Sequence, residues 1–175
     1  MQIIINLLLL LYFMLPAYVA NMMPVLMKKV PLFDIPVDNN ALLCGKPVFG
    51  QNKTWRGLVF GVLAGVVVGF LQSLFGFSII HNFVQFWFPI SVLLSAGALF
   101  GDLVKSFLKR RMGISPGNSW LVFDQLDYVI GALLFVSPFF WPGIGATVIL
   151  LIFSGAGHVL VNHIGFWLGM QKTKW

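Results

Sequence analysis

Residues 1–23 contain no charged side chain, and four further apolar runs of about twenty residues follow. A run of that length is what an α-helix needs to cross a hydrocarbon core about 30 Å thick. Soluble domains are roughly a quarter charged, whereas this chain is 59% hydrophobic and 9% charged. A soluble fold is excluded. An open sheet cannot satisfy its backbone in lipid, so the expected architecture is an all-α integral membrane protein of five transmembrane helices. The expected spans are residues 1–23, 57–77, 88–108, 120–141 and 144–167, within one domain covering 1–175. Residues 1–23 lack both a basic n-region and a small-residue cleavage site, which argues against a cleaved signal peptide. The single cysteine, Cys44, excludes an internal disulfide and is expected to be a buried or interfacial thiol.

The basic residues orient the bundle. The loop 24–56 holds Lys28, Lys29, Lys46, Lys53 and Arg56, and the turn at 109–119 adds Lys109, Arg110 and Arg111 beside Lys105. Lys172 and Lys174 lie in the tail, and the second and fourth connections carry none. Cytoplasmic loops attract this excess, so the N-terminus is expected outside, the C-terminus inside, and loops 24–56 and 109–119 in the cytoplasm. The protein is then a multi-pass protein of the cell membrane. The formal charge of +6 suits anionic headgroups or phosphate ligands; no nucleic-acid partner is expected. Gly57, Gly61, Gly65 and Gly69 recur at every fourth position, a smooth ridge for close helix packing. Gly97 with Gly101, and Gly165 with Gly169, repeat the device.

All five acidic residues are aspartates, and two of them, Asp124 and Asp127, lie inside the fourth apolar run. A helix beginning after Asp127 would be too short for the bilayer, so it is expected to start at Ser119 or Trp120, with Asn118 or Ser119 as its cap. The two carboxylates, three residues apart, then share a face within the membrane boundary. Such a pair needs a cation between its members. Pairing with Lys or Arg would serve, and so would Mg²⁺ holding phosphates, because hard oxygen ligands suit that ion. In "GDLVKSFLKRRMG", Asp102, Lys105, Ser106 and Lys109 share one helix face, leaving Arg110 and Arg111 as membrane-boundary anchors. The turn at Pro116 and Gly117 leads back toward the aspartates. Asn52, Lys53, Thr54 and Arg56 precede the second span as a candidate phosphate cradle, without P-loop glycine spacing. Metal-binding acids and phosphate-binding bases in a lipid setting point to chemistry between a nucleotide and a lipid headgroup.

The stretch "GDLVKSFLKRRMGISPGNSWLVFDQLD" resembles the signature of the CTP:phosphatidate cytidylyltransferases, in which Ser-x-x-Lys-Arg leads to Asp-x-x-Asp. The archaeal branch, the CDP-archaeol synthases, is the better match. "IPVDNNALLCGKPVFGQNKTWRG" is similar to that branch's first cytoplasmic loop, and "HVLVNHIGFWLG" to its tail. The bacterial His-Gly-Gly is absent, and Gln125 stands where that signature has Arg. The resemblance implies a membrane enzyme whose active site is formed by cytoplasmic loops and helix ends. It would join CTP to an isoprenoid ether-lipid phosphate, 2,3-bis-O-(geranylgeranyl)-sn-glycerol 1-phosphate, releasing pyrophosphate. Asp102, Asp124 and Asp127 are expected to hold Mg²⁺. Lys53, Arg56, Lys105 and Lys109 would neutralise phosphates, and Asn52, Thr54 and Ser106 would donate hydrogen bonds, with Pro116 and Gly117 shaping the nucleotide loop. The alternatives are a CDP-diacylglycerol synthase acting on phosphatidate, a CTP-dependent polyprenol kinase, and a non-enzymatic lipid transporter or scaffold. His158, Asn162 and His163 in the last span suit either interhelical hydrogen bonds or function. His81 is expected in solvent, and Asp38 either matches a family acid or caps a turn.

Overall fold

The computed structural model describes residues 2–76, 79, 83–115, 118, 120 and 123–167, apart from the side chains of Ile3, His158 and Asn162. Six α-helices occur among them: α1 (Gln2–Phe13), α2 (Leu15–Leu26), α3 (Trp55–Phe75), α4 (Phe83–Arg111), α5 (Phe123–Val136) and α6 (Ile144–Trp167). The helical membrane architecture is thus as expected. A two-stranded hairpin, β1 (Leu42–Leu43) and β2 (Lys46–Pro47), interrupts the loop before α3. The expected Gly169, His81, Pro116, Gly117, Ser119, Lys172 and Lys174 features lie outside the described residues.

The spans differ from expectation in detail. Three helices, α3, α4 and α6, are long and apolar enough to cross a membrane, and α1 with α2 makes a fourth when counted as one span bent by 45°. The bend lies between Phe13 and Leu15, just before Pro16, whose ring has no N–H to donate to the Tyr12 carbonyl one turn back. Gln72 of α3 donates its side-chain amide to that carbonyl instead. The fourth expected span, 120–141, contains a regular helix of only 14 residues, roughly 21 Å long. It stops at Val136 because Ser137 precedes Pro138, and the residue before proline disfavours helical backbone. At its other end the Asp124 N–H donates to the Trp120 carbonyl at 3.0 Å, so helical bonding reaches back to the expected start. The third span exceeds its expected bounds, running 29 residues with a kink at Phe86, one turn before Pro89.

The glycine ridges do what their spacing suggests. Added Cβ atoms at Gly61, Gly65 and Gly69 would strike the Ala20 carbonyl, Ser95 and Ser91 respectively, so α3 lies against α2 and α4 with no room for side chains. Between α4 and α5 the obstacle is the backbone itself. A Cβ on Gly97 would come within 2.5 Å of the Gly131 carbonyl, and one on Gly101 within 2.2 Å of the Asp127 carbonyl. Leu94, Ala98, Val129 and Ala132 fill the same seam, all fully buried. This contact places the two aspartates of α5 beside the polar face of α4.

Candidate active site

The loop before α3 is built by its own polar groups. Asp38 accepts from the Phe49 and Gly50 N–H groups at 2.8 and 3.1 Å through one oxygen, and from Asn40 N–H at 3.0 Å through the other. Asp38 is therefore a loop organiser, the turn-capping alternative raised by the sequence. Burial alone would raise its pKa, but these three amides outweigh that and hold the carboxyl below its usual range. Cys44 and Gly45 both take positive φ, 51° and 73°, as the two centre residues of a tight hairpin turn. Cys44 is exposed there, which removes the buried alternative of the expected buried or interfacial thiol, because a two-residue turn projects into solvent. Arg111 donates to the carbonyls of Leu43, Lys46 and Pro47 and lies over the Phe107 ring. It clamps the hairpin to the end of α4, which corrects its reading as a simple membrane anchor. Arg110 is buried rather than reaching the interface.

The expected phosphate cradle at the start of α3 is used internally. Thr54 is the N-cap, accepting from Gly57 N–H at 3.3 Å, while the Trp55 and Arg56 N–H groups donate to the Ile35 and Phe33 carbonyls. The free amides that make a helix start attractive to anions are thereby taken by the chain itself. Arg56 is buried, pairs with Asp34 at 2.8 Å and donates to the Val30 carbonyl. It pins the loop. Asn52 is exposed, and Lys53, by contrast, reaches α4 and pairs with Asp102.

The remaining candidates converge on one ammonium. Lys105 Nζ lies 3.0 Å from Asp102 Oδ1, 3.3 Å from Asp124 Oδ1 and 2.9 Å from Asp127 Oδ2. Lys109 Nζ bridges both oxygens of Asp124 at 3.1 Å and donates to the Asn118 carbonyl. Asp124 also accepts from Trp120 N–H, and Ser106 is buried on the same face of α4. Asp102, Lys105, Ser106 and Lys109 thus share a face as their spacing requires, and the two α5 acids meet that face. The cation between Asp124 and Asp127 in this structure is Lys105.

The donor set also suits a hard divalent ion. Asp127 Oδ1 is buried with no hydrogen-bond partner among the described residues, and Oδ2 faces Lys105 without hydrogen-bonding alignment. As placed, the acids surround an ammonium, and among the described residues no three stand close enough together to hold a metal. Three aspartates and three lysines cancel in formal charge, leaving the cluster neutral.

Comparison with known proteins gives this cluster a lineage. The model of the CarS-like family, described as CDP-archaeol synthase, matches residues 1–175. The chain belongs to the CDP-archaeol synthase family. A CDP-archaeol synthase of Methanospirillum hungatei is 38% identical over 174 residues, covering 93% of this chain and 100% of the relative. That of Methanococcus aeolicus is 35% identical over 171 residues, with 93% of each chain covered. That of Archaeoglobus fulgidus is 37% identical, covering 94% and 95%. A solved structure described as an intramembrane enzyme for archaeal membrane lipids biosynthesis is similar, with a TM-score of 0.77 and 32% identity. It covers 90% of this chain and 94% of its own. The Ser-x-x-Lys-Arg and Asp-x-x-Asp segments of this sequence are the elements that α4 and α5 bring together.

Proposed function

We propose that the protein transfers the cytidylyl group of CTP to the phosphate of an archaeal isoprenoid ether lipid, giving CDP-archaeol and pyrophosphate. The observation that carries this reading is the convergence of Asp102, Asp124 and Asp127 on Lys105, in a chain that matches the CDP-archaeol synthase family along its whole length. Relatives named for this activity favour neither phosphatidate as substrate nor a kinase reaction.

A lipid-phosphate oxygen attacks the α-phosphorus of CTP, and the bond from that phosphorus to the bridging oxygen of the β-phosphate breaks. Pyrophosphate leaves with those electrons. No covalent nucleophile on the protein is required; the work is positioning and charge neutralisation. Asp102, Asp124 and Asp127 would hold Mg²⁺, whose charge supplies what the balanced cluster lacks. Lys53, Lys105 and Lys109 neutralise the phosphates. Ser106 and Asn52 offer hydrogen bonds, and Arg56 with Thr54 keeps the first loop in place behind Lys53. We further assign the cluster to the cytoplasmic face of the cell membrane, with five crossings, N-terminus outside and α5 as a short span. The one-sided lysines support that orientation.

The test is pyrophosphate release by the purified protein, offered each nucleoside triphosphate with and without lipid phosphate. CTP and lipid phosphate together should be required. Release of CDP without pyrophosphate would identify a kinase instead.

A further inference from the structure

A half-open cavity of about 390 Å³ lies on the apolar part of the bundle, bordered by α1, α2, α5 and α6. Its walls are mainly Leu11, Leu15, Met22, Phe153 and Val161. Its polar lining is Tyr12 and Asn21 and, where three helices meet, Tyr18, Tyr128 and Ser154. Tyr18 and Ser154 share a 2.6 Å hydrogen bond between hydroxyls, and Tyr128 donates to the Ser154 carbonyl at 3.2 Å. These bonds tie α2, α5 and α6 together around the space and satisfy the hydroxyls of Tyr18, Tyr128 and Ser154. What remains is a mainly apolar chamber suited to hydrocarbon.

Its position is as informative as its lining. Tyr128 directly follows Asp127, whose carboxylate is 2.9 Å from Lys105 Nζ. The chamber therefore shares α5 with the charged cluster and runs along α6 from Phe153 to Val161, roughly 12 Å at 1.5 Å per residue. Gly157 lines it, and a Cβ built there meets nothing within 4 Å. That glycine differs from the ridge glycines, which are excluded from bearing side chains by neighbouring helices. At Gly157 the space is open.

We propose that this chamber receives the first part of one hydrocarbon chain of the lipid phosphate, so that its phosphate is delivered to Lys105 and Lys109. The inference rests on the lipid-phosphate reading above. With about 30 Å³ per methylene-sized group, close to the liquid volume of a water molecule, the chamber accepts roughly 13 such groups. That accommodates the proximal part of one chain and leaves the rest of it, and the second chain, in the bilayer. The chamber is thus the element that distinguishes long-chain from short-chain lipid phosphates.

Gly157→Leu should fill the chamber without striking the protein, and Met22→Trp fills it from the opposite wall. Native mass spectrometry of the full-length protein measures retention of a long-chain lipid phosphate, alongside kinetics with that lipid and with a short-chain analogue. Both variants should lose at least tenfold in kcat/KM for the long-chain lipid, keep their KM for CTP, and keep wild-type rates with the short-chain analogue. Wild-type preference for the long chain in both variants would overturn the proposal and leave the chamber to bulk bilayer lipid. Should wild type release no pyrophosphate yet retain the lipid phosphate in a manner abolished by Gly157→Leu, the cytidylyl-transfer reading fails while the chamber assignment stands.

Discussion

Substituting Asp127 or Lys105 separates a metal-binding cluster from a purely structural one. Lys105 touches three carboxylates, at 3.0, 3.3 and 2.9 Å. In Asp127→Asn, Lys105 keeps Asp102 and Asp124, and a buried carboxylate with an unpartnered oxygen is replaced by a neutral group. Repulsion among the acids falls while one cation partner is lost. The two changes oppose each other, so folding stability should stay within about 1 kcal/mol of wild type. In Lys105→Met, Asp102 retains Lys53 and Asp124 retains Lys109, but Asp127 loses its only ion pair among the described residues. Uncovering one member of a buried pair costs about 3–5 kcal/mol, equivalent to roughly 6–20 °C in melting temperature for a chain of this size. The assay is melting in detergent with and without Mg²⁺-CTP, beside initial rates of pyrophosphate release. Wild type with ligand at a hundred times its Kd should gain about 2.7 kcal/mol. Asp127→Asn should gain almost none and lose activity at least a hundredfold. If Asp127→Asn melts as low as Lys105→Met yet retains most of its activity, Asp127 is structural and its assignment to the metal is wrong.

Five further outcomes follow. Lys53→Ala, which exposes Asp102 to the site, should weaken CTP use at least tenfold in steady-state kinetics. Arg56→Ala, which frees Asp34 and the Val30 carbonyl, should lower stability by about 1–3 kcal/mol while changing the KM for CTP less than Lys53→Ala does. Gly101→Val should abolish both folding yield and activity, because its Cβ would sit 2.2 Å from the Asp127 carbonyl; expression and gel filtration read this. The Asp38 carboxyl is held below its usual range by backbone amides. Its contribution to the loop is therefore complete above the unfolded value near pH 4 and is lost as pH falls through the lower folded value. Maleimide labelling of Cys44 over an acid series should accelerate there in wild type and be insensitive to pH in Asp38→Asn, after correction for thiolate fraction. In oriented vesicles Cys44 should react from the cytoplasmic side, and Trp141→Cys in a Cys44→Ser background from the outside; reaction of both from one face refutes the proposed orientation.

Sequence alone determined the solvent, the helical class and the centre of the cluster, Asp102, Lys105, Lys109, Asp124 and Asp127. Apolar runs, glycine ridges and isolated aspartates each state a local cost that only lipid, close packing or a cation can offset, so they are legible without coordinates. Asp102, Lys105, Ser106 and Lys109 could be placed on one face because helical period is local. Other features depended on partners far along the chain. Whether Arg56 or Lys53 faces the cluster turns on where Asp34, Val30 and Asp102 lie, and both residues look alike in a basic loop. Arg111 reads as a boundary anchor until the carbonyls of a hairpin some 65 residues earlier are brought to it. The expected spans 1–23 and 120–141 ran through Pro16 and Pro138, and neither the bend in the first, with Gln72 taking the role of the lost donor, nor the shortness of α5 was anticipated. Above all, the identity of the cation between Asp124 and Asp127 was decided by tertiary structure. Gly97, Gly101 and Gly131 let two helix backbones approach closely enough for one lysine to reach three carboxylates, and that reach depends on interhelical distance, which no local pattern encodes.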